Sequence, residues 1–217
     1  MNSLLFKGSV VAVSASGITA AGVYFSGVLK TEDKSFKAYL TKIGRTAAAP
    51  EDWNKIKELY SKETSDSPIP NIPKSSVSSD VNLITRWCED KLKQEHSKSE
   101  EDLVETWCAK PVNVESRLSY FNLSSLDVSE TASSNKDDST WTSKVSNYGK
   151  DTADASLKVK EINDSSGQKV EGSEISSTIE ASKLRKWCGW AKDQTYQNKG
   201  TDLFKKYKHW CTKPKNS

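Results

Sequence analysis

The dipeptide Trp-Cys occurs four times in this chain and uses all four cysteines. The copies are Trp87-Cys88, Trp107-Cys108, Trp187-Cys188 and Trp210-Cys211. They fall into two pairs, and the second member of each pair has a similar ending: Cys108-Ala109-Lys110-Pro111 and Cys211-Thr212-Lys213-Pro214. Two uncommon residue types side by side four times mark an internal duplication. Each copy must therefore enclose two Trp-Cys corners, since both residue types favour the interior.

The duplication extends upstream. Trp53 precedes Tyr60 by seven residues with Ile56 between them, and Trp141 precedes Tyr148 by seven with Val145 between them. That spacing is about two helical turns, so each Trp shares a face with its Tyr. Pro50, Glu51 and Asp52 suit the start of the first of these helices, and Ser139 is the expected cap of the second. Polar linkers follow, at residues 61–79 and 151–178. Pro68, Pro70 and Pro73 forbid a continuous helix in the first. In the second, the stretch from Ala155 to Ile162 reads equally as helix or extended chain.

Each copy then gives a helix pair. In the first, Leu83, Ile84, Trp87, Cys88 and Leu92 form one stripe, and Leu103, Val104, Trp107 and Cys108 form the other. In the second, the stripes are Leu184, Trp187, Cys188 and Ala191, then Phe204, Tyr207, Trp210 and Cys211. Pro111 and Pro214 end the second helices. The cysteines of a pair are 20 positions apart in one copy and 23 in the other. The difference is close to one helical turn, so the same face can point inward in both. Phe36, Tyr39, Leu40 and Ile43 supply an apolar stretch before the first unit, and Leu118, Phe121 and Leu126 before the second.

The amino terminus carries a different signal. The run that opens at Gly8 and closes at Leu29 has no charged side chain, and Lys7 and Lys30 bound it. As a helix it would be ~33 Å long at ~1.5 Å per residue, enough to cross a bilayer core. The expected fold is mainly α: an N-terminal membrane helix followed by two tandem small helical repeats joined by polar linkers. The expected divisions are residues 1–30 for the signal-anchor, 31–112 for the first repeat and 113–217 for the second. Orientation is open. Lys30, Lys34, Lys37, Lys42 and Arg45 follow the run, which by the positive-inside rule favours a cytoplasmic domain. A signal-anchor carrying a long polar domain exports it regardless.

Three readings of the cysteines stand. One is a disulfide within each copy, Cys88 with Cys108 and Cys188 with Cys211, each contributing roughly 3 kcal/mol to a small domain. The second is buried free thiols, favoured if the domain stays in the cytoplasm. The third is a metal site, for which ligand spacings are poor. Trp187-Cys188-Gly189-Trp190 begins like a thioredoxin motif but lacks the proline and the resolving cysteine. His96 lies in a charged turn and reads as a solvated loop residue. His209 is two positions from Cys211, so the two face apart on a helix. No acid, base and nucleophile can be assembled. With 32 basic and 29 acidic residues interleaved, no basic stripe points to nucleic acid.

These motifs together resemble the large paralogous families of membrane-associated proteins of haemotropic mycoplasmas. Those proteins similarly have a short apolar N-terminus rich in Gly, Ala, Ser and Val. Helices bearing Trp, then Trp-Cys, follow, with a Trp-Cys-Thr-Lys-Pro-like ending; the counterparts here are Trp53 to Tyr60, Trp141 to Tyr148, Trp187-Cys188 and Trp210 to Pro214. The resemblance implies membrane association and surface exposure, and it carries no catalytic residues. The expectation is a membrane-anchored, surface-exposed, non-enzymatic protein, for binding or antigenic display. It would need no cofactor, would bind neither nucleic acid nor a small-molecule substrate, and its partner would be a host or neighbouring protein. The alternative is an inward-facing membrane-tethered scaffold with reduced cysteines. The expected structural residues are Cys88, Cys108, Cys188 and Cys211, with Trp53, Tyr60, Trp87, Trp107, Trp141, Tyr148, Trp187 and Trp210 as the core.

Overall fold

The first copy opens at Ser35, whose hydroxyl accepts from Ala38 N and caps helix α1 (Phe36–Lys42). Helices α2 (Trp53–Lys62), α3 (Lys74–Ser79), α4 (Asn82–Lys91) and α5 (Glu101–Cys108) complete it. In the second copy a 3-10 helix over Glu115–Phe121 takes the place of α1. Helices α6 (Asp138–Asp151), α7 (Ala181–Ala191) and α8 (Asp202–Trp210) follow. The computed structural model describes residues 32–129, 135–165 and 167–215, and the chain from Asp33 onward forms one compact unit.

Matched backbone bonds align the copies. Phe36 N and Lys37 N donate to Gln94 O and Leu92 O, as Val114 N and Glu115 N donate to Gln194 O and Lys192 O. Ala48 N donates to Cys108 O, as Leu126 N donates to Cys211 O. Residues 36–48 thus lie on 114–126. Gly44 and Asn122 fall on each other, at φ +68° and +55°. Glycine and asparagine are the residues that best tolerate this left-handed turn.

The mainly-α expectation is corrected by six short strands among the described residues: β1 (Val112–Asn113), β2 (Leu123–Ser125), β3 (Lys160–Ser165), β4 (Gln168–Glu174), β5 (Thr195–Tyr196) and β6 (Thr212–Pro214). They pair antiparallel as β1 with β5, β2 with β6 and β3 with β4. The second polar linker is therefore largely a hairpin. Its strands are exposed except at Ile162, so no apolar alternation announced them. Gly167, at φ +79°, turns the chain at its tip. Lys183–Glu161 and Lys186–Asp164 pairs, at 2.6 and 2.7 Å, tie it to α7. The first linker also folds: it contains α3 and buries Ile69 and Val77. Ser139 is not the cap, because α6 already starts at Asp138.

The N-terminal membrane helix of the expected fold has no counterpart among the described residues, where no helix is long and apolar enough to cross a membrane. The uncharged run from Gly8 to Leu29 itself lies outside the described residues.

Two hydrophobic clusters form, one from Phe36 to Cys108 and one from Val114 to Cys211. Where the copies meet, they use different surfaces. The turn after α7 lies on the first copy, with Gln197 Nε2 donating to Glu63 at 2.6 Å and Asn198 Nδ2 to Thr106 at 2.9 Å. Lys199 pairs with Glu101 at 3.0 Å. The matching turn of the first copy, around His96, faces its own α5 instead, so the contact is head-to-tail.

Candidate functional site

Each Trp-Cys pair closes as a disulfide. Cys88 bonds Cys108 and Cys188 bonds Cys211, with Cα–Cα distances of 5.3 and 5.6 Å. The helical stripes predict this, since they turn both cysteines of a copy toward one core. Beside each bridge sits an aromatic pair, Tyr60 with Trp107 at 4.7 Å and Tyr148 with Trp210 at 5.0 Å between centroids.

The two tyrosine hydroxyls do the same work. Tyr60 donates to Ile72 O at 2.6 Å and accepts from Ile69 N at 3.0 Å. Tyr148 donates to Ile175 O at 3.0 Å and accepts from Val159 N at 3.1 Å. Each hydroxyl is a clamp on the base of a loop. In the first copy the loop is a tight turn over Pro70 and Asn71, with Ile72 N donating to Ile69 O. In the second it is the whole β3–β4 hairpin, with Ile175 N donating to Val159 O. Burial pushes both phenols above their ordinary pKa, so they stay protonated donors.

The predicted core residues divide. Tyr60, Trp107, Trp141, Tyr148, Trp187 and Trp210 are buried, whereas Trp53 and Trp87 of the first copy are half-buried. The cause at Trp53 is a length difference. From Ala48 to Trp53 is five positions, but from the matching Leu126 to Trp141 is fifteen. The extra chain covers Trp141, whose Nε1 donates to Asp127 O at 2.8 Å. Asn135 Nδ2 clasps that cover by donating to Asp127 O and Ser129 O, both at 2.9 Å. Val128 packs on the second core, and a Cβ on Gly189 would lie 3.8 Å from its Cγ2. In the first copy the corresponding place is an open groove of 470 Å³ between Ala48, Trp53, Val81 and Leu92.

A second feature, missed by the sequence reading, lies where the copies meet. Arg45, Glu105, Arg117 and Tyr196 are buried together. Glu105 Oε1 is 3.8 Å from both guanidinium groups, an ion-pair distance too long for a hydrogen bond. Arg117 donates to Gly44 O at 3.0 Å and Ile43 O at 2.8 Å, and Arg45 to Lys110 O at 3.1 Å. Both guanidiniums stack on Tyr196, at 5.0 and 5.1 Å. Burial raises the Glu105 carboxyl above its ordinary range, against the pull of Arg45 and Arg117. A 50 Å³ cavity adjoins Glu105, Arg117 and Tyr196. The signal was compositional: the chain has four arginines, Arg45, Arg86, Arg117 and Arg185. Only Arg86 is exposed. In a lysine-rich chain, an arginine marks a place that needs a planar fork of donors.

The histidines are paired rather than solvated. His96 lies 2.9 Å from Glu101 and stacks on Tyr39 at 4.4 Å, and His209 lies 2.9 Å from Asp151. With Cys211 held in a disulfide, no thiol stands beside His209 to be activated. Among the described residues, no cluster of His, Cys, Asp and Glu could hold a metal ion. Compared with protein-family models, with curated proteins and with solved structures, the chain matches none.

Proposed function

We propose that this chain is an exported, membrane-associated and surface-exposed protein that acts by binding or display and not by catalysis. The observation that carries the reading is the pair of disulfides, one in each copy. Disulfides persist in oxidising surroundings and are rare where thiols are kept reduced. The uncharged run from Gly8 to Leu29 supports delivery to a membrane. The likeness to the surface families of haemotropic mycoplasmas points the same way. The partner on this reading is a host or neighbouring protein.

Two measurements test it. Thiols are counted on the native protein, denatured without reductant, and none should react. Intact cells are shaved with protease, and residues 33–217 should be cleaved. Four reactive thiols together with a protected domain would instead establish the inward-facing, reduced scaffold. That second reading is favoured by Lys30, Lys34, Lys37 and Lys42 after the run. Arg45 lends it nothing, because its side chain is buried between the copies.

A further inference from the structure

We propose that the groove beside Trp53 binds an extended, basic peptide segment of a partner protein, held as the second copy holds its own residues Asp127–Ser129. This rests on the binding reading above and names the surface and the ligand class.

The internal repeat supplies the template. In the second copy the chain segment over Trp141 offers a main-chain carbonyl to the indole N–H and an aliphatic side chain, Val128, to the core beneath. The first copy has the same tryptophan on the same helix but a connection ten residues shorter, five positions against fifteen. Nothing of its own chain takes that place. Trp53 stays half-buried, and its indole nitrogen makes no hydrogen bond to the described residues. Ala48, Val81 and Leu92 give the groove an apolar floor.

The charge of the occupant follows from one substitution between the copies. Gly189, under Val128, corresponds to Glu89, directly after Trp87-Cys88. Glu89 is exposed, lines the groove as its one charged side chain, and has no ion-pair partner among the described residues. An occupant with an aliphatic residue over Trp53 and a lysine or arginine beside it satisfies both. An extended segment exposes its main-chain carbonyls, and alternate side chains reach the groove.

The experiment uses the purified, oxidised full chain with 15N-labelled tryptophan. The probes are two synthetic heptapeptides, Gly-Ser-Leu-Val-Lys-Ser-Gly and the same sequence with glutamate for lysine. The indole N–H signal of Trp53 is assigned with Trp53→Phe. The lysine peptide should shift that signal at up to about 2 mM and leave Trp141 unmoved. It should bind at least about threefold more tightly than the glutamate peptide, as one partly exposed ion pair allows. Glu89→Lys, an exposed change that leaves the fold intact, should reverse the order. No shift at Trp53, or equal binding of both peptides, overturns the proposal. So does a concentration-dependent dimer that protects Trp53 without peptide, since the occupant would then be a second copy. Failure here leaves the thiol and shaving results standing, and failure there leaves the groove result standing.

Discussion

Replacing Tyr148 with phenylalanine removes one oxygen and no packing, so it isolates the clamp at the base of the hairpin. The hydroxyl satisfies Ile175 O and Val159 N, and all three residues are buried. Each lost bond is worth about 1 kcal/mol net, and a buried group left without a partner costs about 1–3 kcal/mol. The two losses overlap, since the same groups are counted in both, so the expected destabilisation is about 2–3 kcal/mol. For a unit of this size that is a fall in Tm of roughly 4–12 °C, at about 2–4 °C per kcal/mol. Urea unfolding with an unchanged m-value measures it. Tyr60→Phe removes the matching pair of bonds and should cost about the same. Hydrogen exchange should locate the effect: Tyr148→Phe should speed exchange through β3 and β4, whereas Tyr60→Phe should not. A loss below about 0.5 kcal/mol in both variants, typical of surface changes, would refute the clamp and leave packing alone to hold these loops.

Gly149 lies within α6, where helix propensity alone would favour Gly149→Ala by about 1 kcal/mol. A Cβ there would stand 2.5 Å from Ser177 O, so the variant should be destabilised, and a gain in Tm would contradict the packing. Removing either disulfide by paired Cys→Ala changes should cost about 3 kcal/mol, nearly the same for both because loops of 20 and 23 residues differ little in closure entropy; unfolding under non-reducing conditions checks it. Glu105 has a raised carboxyl pKa in the folded chain. Its favourable contribution is therefore complete below the ordinary carboxylate range and is lost as pH rises through the raised value. Glu105→Gln should flatten stability against pH across that window, and an unchanged slope would count against the raised carboxyl.

What the sequence made legible was whatever repeats at helical spacing. Trp53 with Tyr60, the Trp-Cys stripes and the difference of three between cysteine spacings depend only on periodicity, and the disulfides follow from them. The hairpin was hidden because its strands are polar on both faces; its stability comes from Val159 and Ile175 at the base and from ion pairs to α7. The clamps were hidden because the tyrosine period describes which face it takes and not where its hydroxyl ends. The half-exposure of Trp53 lay in a loop length, five positions against fifteen, which reads as mere spacing until the matching tryptophan is seen covered. The Arg45–Glu105–Arg117 cluster joins residues up to 72 positions apart, from 45 to 117, and no local pattern connects them.

The paired clamps also make the chain a natural scaffold for grafting. Between the anchored residues lie two positions in the first copy, 70 and 71, and fifteen in the second, 160–174, yet the anchoring bonds are the same. Closure is enforced at the base, and lengthening a closed loop costs only about 0.6 kcal/mol per doubling. A foreign epitope could accordingly be spliced in place of Pro70 and Asn71 and be presented at the end of a fixed stem, with the Trp-Cys framework beneath it undisturbed.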